Sequence, residues 1–371
     1  MNSIQWEHML AGATRGPAGA VLRMALAALS LPYRTAVATR NLWYDGVPGT
    51  RKRVAAPVIS IGNITTGGTG KTPMAARTAG LLGELGRRAA ILTRGYKGRT
   101  VAAAHDDPQE AHYGSRIESD EAAVLRRVCP AARVVIDANR VRGAASALAN
   151  GCNALVLDDG FQYRRLRRDL DVVLIDATRP FGYGRLLPRG LLREPPTSLR
   201  RANVIVVTHS DEIEPAPHET LLQTLGRLAP TAQLLTAHHR IVGWFDIDGR
   251  IADPPEPSAL QVVLFAGIAN FESFRRSVER LGVRVVSARQ FPDHHNYTAP
   301  DVAELLHAAG RHEADTLLTT EKDAVKLTER WPADAVPLLS PRIEIAFDGD
   351  GERVFRECLS RVLNDESRYL S

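Results

Sequence analysis

The residues best suited to chemistry lie in a glycine-rich segment at positions 61–73, IGNITTGGTGKTP. Gly67, Gly68 and Gly70 carry no side chain, so backbone N–H groups beside them can close around phosphate oxygens. Lys71 is spaced to reach the outer phosphates of a nucleoside triphosphate, and the Thr72 hydroxyl to ligate Mg²⁺. Thr65, Thr66 and Thr69 complete the nucleotide-binding stretch. Thr65 stands where the G-x-x-x-x-G-K-[ST] pattern begins with glycine. A second segment, ALVLDDGFQ at 154–162, ends an apolar run in Asp158 and Asp159. An aspartate at such a strand end can meet the metal held by a phosphate loop. Consecutive strand residues face opposite sides, but the chain is already turning here, so spacing leaves open which of the two is the ligand.

Moving phosphate to a hydroxyl also requires a group that takes the hydroxyl proton. Asp120, in Ser119-Asp120-Glu121, fits that task, and fits equally a first-turn carboxylate favoured by the helix dipole. The segment QFPDHHNYT at 290–298 sets Asp293 beside His294 and His295, an arrangement that can orient an imidazole; a third ligand for zinc is missing. TTEKDAVK at 319–326 offers Lys322 to a phosphate, or to solvent from a capped helix. Between them lies PFGYGRLLPRGLLREP at 180–195, punctuated by Gly and Pro and carrying Arg185, Arg189 and Arg193. A long segment with no expected secondary structure reads as a functional loop, here one suited to an acidic substrate.

The elements that must position these residues follow from apolar patterning. Short β-branched runs at 58–61, 89–93, 133–136, 154–157, 172–175 and 204–207 predict buried parallel strands. Helical stretches at 72–85, 120–127 and 140–149 lie between them, which predicts an α/β, doubly wound parallel sheet of P-loop NTPase type. RIVGWFDIDGRI at 240–251 predicts a β-hairpin turning at Asp248-Gly249, followed by the linker-like DPPEP. A second, smaller α/β unit is expected beyond it, with strands near 262–265, 283–286, 316–319 and 336–339 and a final amphipathic helix. The expected boundaries are 1–45 for an N-terminal segment, 46–236 for the P-loop domain, 237–258 for the hairpin linker and 259–371 for the second domain.

Composition narrows the partners. The 371 residues are 44% hydrophobic and 24% charged, which excludes wholesale disorder, collagen and a polytopic membrane protein. The three cysteines, Cys129, Cys152 and Cys358, form neither a disulfide framework nor a zinc pattern, so a reducing compartment is expected. The net charge is +5, and five lysines stand against 42 arginines. Arginine suits phosphate-bearing partners. No helix-turn-helix or aromatic-interleaved basic patch points to nucleic acid. Residues 18–31 are almost wholly apolar, too short to span a bilayer, and Pro32 is expected to end them. Arg34, Arg40, Trp43, Tyr44, Arg51, Lys52 and Arg53 follow, the makings of a helix that lies on a membrane surface.

Taken in order, GNITTGGTGKTP, RGYKG, SDE, DDGFQ, FGYGRLLPRGLLREP, FAGIANFESF, FPDHHNYT and LLTTEKDAVKL make the chain resemble the tetraacyldisaccharide 4′-kinase family of lipid A biosynthesis. The resemblance implies ATP- and Mg²⁺-dependent phosphorylation of an acylated glucosamine disaccharide 1-phosphate at the cytoplasmic face of the bacterial inner membrane, by a peripheral or monotopic protein with no obligate protein partner. It puts Lys71 and Thr72 on ATP and Mg²⁺, and Asp158 and Asp159 on the metal side. It puts Asp120 on the catalytic aspartate and His294 on the histidine that supports it, and sets Arg94, Tyr96 and Arg140 near substrate or phosphates. Tyr183 departs from the family pattern, where asparagine is expected. The alternative is a regulatory, partition-type P-loop ATPase or GTPase with no lipid acceptor.

Overall fold

The computed structural model describes residues 16–95, 99–102, 115–254, 256–268 and 270–365. In chain order the first strands are β1 (Val58–Asn63), β2 (Ala89–Thr93), β3 (Arg99–Ala102), β4 (Ser115–Glu118), β5 (Arg133–Ile136), β6 (Ala154–Asp158) and β7 (Leu170–Asp176). They are followed by β8 (Val204–Thr208), β9 (Gln233–Asp246), β10 (Ile251–Ala252), β11 (Gln261–Ala266), β12 (Arg284–Gln290), β13 (Thr316–Leu318) and β14 (Leu338–Phe347). The helices are α1 (Pro17–Gly46), α2 (Lys71–Glu84), α3 (Asp120–Val128), α4 (Arg140–Ala149) and α5 (Pro215–Leu228). After them come α6 (Phe271–Glu279), α7 (Ala299–Arg311), α8 (Glu321–Leu327) and α9 (Gly351–Asn364).

Two compact units result, one of Met1–Arg94, Ala131–His239 and Ile345–Ser371, the other of Gly95–Pro130 and Arg240–Glu344. This division differs from the boundaries expected at 46–236 and 259–371, for reasons of packing. Residues 95–130 leave the first unit because α3 packs on α8 and Arg127 donates to the Thr328 hydroxyl at 3.1 Å. The C-terminal segment returns to the first unit: Asp348 accepts from Ser210 at 2.7 Å and pairs with His238 at 2.8 Å, and Arg356 of α9 pairs with Glu84.

In the first unit seven strands run in the order β9–β8–β7–β1–β6–β2–β5, and each neighbouring pair is parallel. β1, β2, β6 and β8 are buried along their whole length. That is why they read as unbroken apolar runs: helices cover both faces. Ala144 and Ala147 of α4 pack with Ala90, Leu92, Leu155 and Leu157 in one core. Leu221 and Leu225 of α5 pack with Val173, Ile175, Ile205 and Val207 in another. The strand order reverses at β1, whose neighbours are β6 and β7, so the crevice at its carboxyl end is where an open α/β sheet takes a ligand.

The expected stop at Pro32 does not occur: α1 runs through it to Gly46. An internal proline costs a helix about 3 kcal/mol, and anchors on both sides of it hold the axis. The Ser30 hydroxyl donates to Leu186 O at 3.2 Å and the Tyr33 hydroxyl to Arg193 O at 3.0 Å. Farther along, Arg40 and Asn41 reach the buried carboxylate of Glu194, which Arg201 also holds. Most of the apolar side of α1 is left in solvent, with Met24 64%, Leu29 58%, Leu31 64% and Trp43 57% exposed. Among the described residues no helix is long and apolar enough to cross a membrane.

In the second unit β12–β11–β13–β14 form a parallel set, and β10 pairs antiparallel with the end of β9. This is the expected hairpin, with Gly249 at φ 81° in its turn. β9 starts at Gln233, however, so much of the expected linker is strand. Phe271, Phe274 and Val278 of α6 pack with Val262, Leu264 and Ala266. Val302, Leu305 and Ala309 of α7 pack with Val263, Phe265 and Leu317. The antiparallel pair β3–β4 has no counterpart in the patterning of the sequence.

Glu194 is fully buried, and although burial raises its pKa, Arg201 and Arg40 bring it below the usual carboxylate value. Glu194→Ala should therefore lower unfolding free energy by about 3 kcal/mol at neutral pH, read as a shift in urea midpoint. Because the folded-state pKa is depressed, this contribution is present above the unfolded pKa and is lost as pH falls through the folded one. The gap between variant and wild type should thus narrow in acid.

Candidate functional site

The first cluster is built where β1 meets α2. Gly67 and Gly70 adopt φ 118° and 81°, a region closed to most side chains. Gly70 is doubly constrained, since a Cβ there would lie 2.7 Å from His239 Nε2. Burial and the nearby His209 push the His239 pKa down to about 3, so a neutral ring backs the loop. Thr66, Gly67 and Gly68 form an exposed rim, while Thr69 is 3% exposed and anchors the base. Asn63 Nδ2 donates to Thr69 Oγ1 at 2.9 Å, and the Thr208 hydroxyl donates to Thr69 O at 3.3 Å.

Thr65 shows how the departure from the glycine pattern is accommodated. Its backbone bridges Leu192, and the Thr66 N–H donates to Leu191 O at 2.8 Å. The start of the loop is thus extended and paired, a conformation that needs no glycine. The partner is the 180–195 segment, which carries a 3₁₀ turn at Gly182–Gly184 and a bridge between Leu186 and Leu192. Tyr183 sits at φ 66°, where asparagine is at ease and tyrosine is rare. Its ring packs with Leu191 around Leu26 of α1.

Asp158 closes β6 and is 5% exposed, and its carbonyl accepts from Arg140 at 3.4 Å. Asp159 turns away from the strand at φ 54°. Arg193 meets both of its oxygens, at 2.6 and 3.0 Å, and Lys71 Nζ lies 3.9 Å away. Burial raises the Asp159 pKa, but Lys71, Arg193 and Arg140 outweigh it and hold the carboxyl below its usual range. Arg193 was visible in the sequence only as one of three loop arginines; its bidentate grip on Asp159 was not. The loop's Arg185 is exposed, and Arg94 is an exposed residue just past β2. Tyr96 lies outside the described residues.

The donor set suits magnesium. The Thr72 hydroxyl and the carboxylates of Asp158 and Asp159 are hard oxygen ligands, and among the described residues no group of three or more His, Cys, Asp or Glu side chains could hold a metal. Magnesium takes one or two carboxylates and fills its remaining positions with phosphate and water. Zinc would require a fuller protein shell.

The second cluster surrounds the N-terminus of α3 in the other unit. The Ser119 hydroxyl caps this helix by accepting from the Ala122 N–H at 3.3 Å, which fixes Asp120 in the first turn. Asp120 Oδ2 lies 3.5 Å from His294 Nδ1 and 3.3 Å from Lys326 Nζ. His294 stands at φ 60°, its N–H bonded to Gly267 O at 3.1 Å. Lys322 Nζ approaches His294 Nε2 at 3.2 Å. His294 thus turns Nδ1 to Asp120, while its Nε2 meets both the Lys322 ammonium and Glu121 Oε1, the latter at 3.6 Å. His295 is spent elsewhere: it bonds Asp301 at 3.1 Å and stacks on Phe291. Geometry thus separates two histidines that the residue pattern left equivalent and of which the family resemblance pointed to His294. Burial raises the Asp120 pKa, and the His294 bond and the charges of Lys326 and Lys322 reverse that, leaving it below the usual value.

A glycine-rich loop at the switch point of a parallel sheet, with aspartates ending the adjacent strand, defines a P-loop nucleotide-binding α/β protein. A family model described as tetraacyldisaccharide-1-P 4′-kinase, LpxK, matches residues 22–364. Two relatives, each named tetraacyldisaccharide 4′-kinase, align over most of their length. That of Anaeromyxobacter dehalogenans strain 2CP-C is 41% identical over 325 residues, covering 86% of this chain and 85% of the relative. That of Syntrophus aciditrophicus strain SB is 35% identical over 350 residues, covering 92% and 93%. The crystal structure of LpxK from Aquifex aeolicus in complex with ATP superposes with a TM-score of 0.70 at 26% identity, over 92% of this chain and 99% of that one. The chain belongs to the tetraacyldisaccharide-1-P 4′-kinase family.

Gly70→Ala should fold yet weaken nucleoside triphosphate binding about 10- to 100-fold, the cost of a strained left-handed residue. Titration calorimetry with a non-hydrolysable triphosphate reads this directly, and wild-type affinity in the variant would show that the loop does not need its observed shape.

Proposed function

We propose how the chain performs its family's reaction, transfer of the γ-phosphate of ATP to the 4′-hydroxyl of tetraacyldisaccharide 1-phosphate in lipid A biosynthesis. The residues assigned to the chemistry form two sets. In the first, backbone N–H groups of residues 65–72 and the Lys71 ammonium hold the triphosphate. Thr72, Asp158 and Asp159 are the ligands assigned to magnesium, which when bound supplies the charge neutralisation that phosphoryl transfer demands. Arg193 keeps Asp159 ionised and fixed.

In the second unit Asp120 takes the proton of the acceptor hydroxyl, and His294 orients it through Nδ1. A carboxylate held below its usual pKa is a weak base, but a loose phosphoryl-transfer transition state asks for little proton removal. What it asks for is an ionised group in place. Lys322, on the same face and 24% exposed, is the cation assigned to an incoming phosphate. Arg94, Tyr96, Arg140 and Arg185 are assigned to the acidic parts of substrate and nucleotide. The observation that carries this reading is the Asp120–His294 contact. It gives a phosphate-binding fold a group able to deprotonate an alcohol, which a regulatory ATPase does not require.

The acceptor is a lipid, and the exposed apolar face of α1 supports a peripheral position at the cytoplasmic face of the inner membrane. Leu29→Glu with Leu31→Glu should cut co-sedimentation with anionic vesicles at least severalfold while leaving ATP affinity intact. Unchanged co-sedimentation would remove α1 from the membrane contact.

The central test is γ-phosphate transfer to detergent-dispersed disaccharide 1-phosphate. Lys71→Ala should abolish transfer together with productive ATP binding. Asp120→Ala should bind ATP normally and turn over about 10²- to 10⁴-fold more slowly, the usual span for a lost acid–base group. Because the Asp120 pKa is depressed, wild-type turnover should fall only as pH drops below the ordinary carboxylate range. Near-normal turnover in Asp120→Ala would end its assignment as base.

A further inference from the structure

α8 presents two of the chain's five lysines one turn apart, and the second has no role in the chemistry so far. Lys326 is 9% exposed. Its ammonium lies between Asp323 Oδ1 at 2.9 Å and Asp120 Oδ2 at 3.3 Å, with the Tyr297 ring centroid 5.8 Å away. Asp323 is fully buried and cannot swing: its Oδ2 accepts from the Gly267 N–H at 2.9 Å and from the Thr320 hydroxyl at 2.8 Å. The lysine is therefore fixed on one side by a carboxylate that is itself held and directs a remaining donor to Asp120.

A compact ammonium suits this place better than the guanidinium the chain uses almost everywhere else. It is a point donor that two carboxylates can approach from different directions, whereas a planar fork favours one in-plane partner. The groups acting on Asp120 are His294 from the loop before α7 and Lys326 and Lys322 from α8; Glu121 of its own helix lies 3.6 Å from His294 Nε2, and Asp323 holds Lys326. Among the described residues, both short contacts to the Asp120 carboxylate fall on the same oxygen, Oδ2.

We propose that Lys326, locked by Asp323, is a positioning residue for phosphoryl transfer: it holds Asp120 by Oδ2 so that Oδ1 is the oxygen presented to the acceptor hydroxyl. This rests on Asp120 being the group that takes the hydroxyl proton. The proton passes from the hydroxyl to Oδ1 as the new oxygen–phosphorus bond forms and the bond to the leaving nucleoside diphosphate breaks. Lys326 keeps its own protons throughout. A carboxylate pinned at one oxygen by two donors loses its rotation, and that is orientation supplied before the reaction starts.

The experiment compares the full-length protein with the double variant Asp323→Asn/Lys326→Met, which removes both buried charges together, and with Lys326→Arg and Asp120→Asn. Urea midpoints check folding; kcat, KM for ATP and the pH profile of kcat are then read. The double variant should lose about 10- to 100-fold in kcat with KM for ATP within twofold. Its acid limb should move to higher pH, since the cation that keeps Asp120 ionised is gone. Lys326→Arg should restore the position of the acid limb but only part of kcat. Should the double variant fail to fold, Lys326→Gln, which keeps a donor for Asp323, carries the same comparison. A folded variant with wild-type kcat and acid limb overturns the proposal. So does a loss of kcat with the limb unmoved, which would mark a structural role alone. If Asp120→Asn itself turns over normally, the base assignment fails and takes Lys326 with it. An inactive Asp120→Asn beside a wild-type double variant sinks Lys326 alone.

Discussion

A loop that binds phosphate by its backbone must leave its N–H groups available at the rim and still keep its shape. Here that conflict is met from behind. Asn63 and Thr208 hold Thr69, the backbone of Leu191 and Leu192 holds Thr65 and Thr66, and neutral His239 fills the space that a side chain at Gly70 would occupy. The same 180–195 segment that supports the loop sends Arg193 to Asp159 and accepts Ser30, Tyr33 and Arg40 of α1. One stretch of chain thereby ties the phosphate loop, a metal-side carboxylate and the exposed apolar helix together. The helix with the exposed apolar face is thereby braced on the segment that shapes the phosphate loop.

Electrostatics repeat one solution in the two units. Asp159 and Asp120 are both withdrawn from water enough that burial alone would favour their neutral forms. In each the neighbours outweigh burial: Lys71 and Arg193 lower the pKa of the first, and the His294 hydrogen bond with the Lys326 charge that of the second. Both carboxyls end below their usual range although each is partly withdrawn from water.

Much of the architecture was legible because it depends on local pattern. Unbroken β-branched runs suit strands covered on both faces, and β1, β2, β5, β6, β7 and β8 fall on the expected runs, whereas β3, β4 and the first half of β9 had no such signal. GGTGKT between a strand and a helix permits few other readings. Illegible features were those in which a residue answers to a distant one. Pro32 reads as a stop until Ser30 and Tyr33 are seen tied across the sequence to Leu186 and Arg193. From local pattern alone Asp120 fits a first-turn carboxylate as well as a proton acceptor, and its neighbours His294 and Lys326 come from distant parts of the chain.

By itself, then, the sequence determined the class of fold, the strand–loop–helix setting of the glycine-rich segment and the family. All of these rest on residue type and short-range order. Tertiary structure alone decided that His294 faces Asp120 while His295 bonds Asp301, that Arg193 rather than another arginine grips Asp159, and that α3 packs on α8. Those choices are made by distances of about 3 Å between residues far apart in the chain. Hydrogen bonds and ion pairs of that length are set by how elements pack, and no local pattern encodes them.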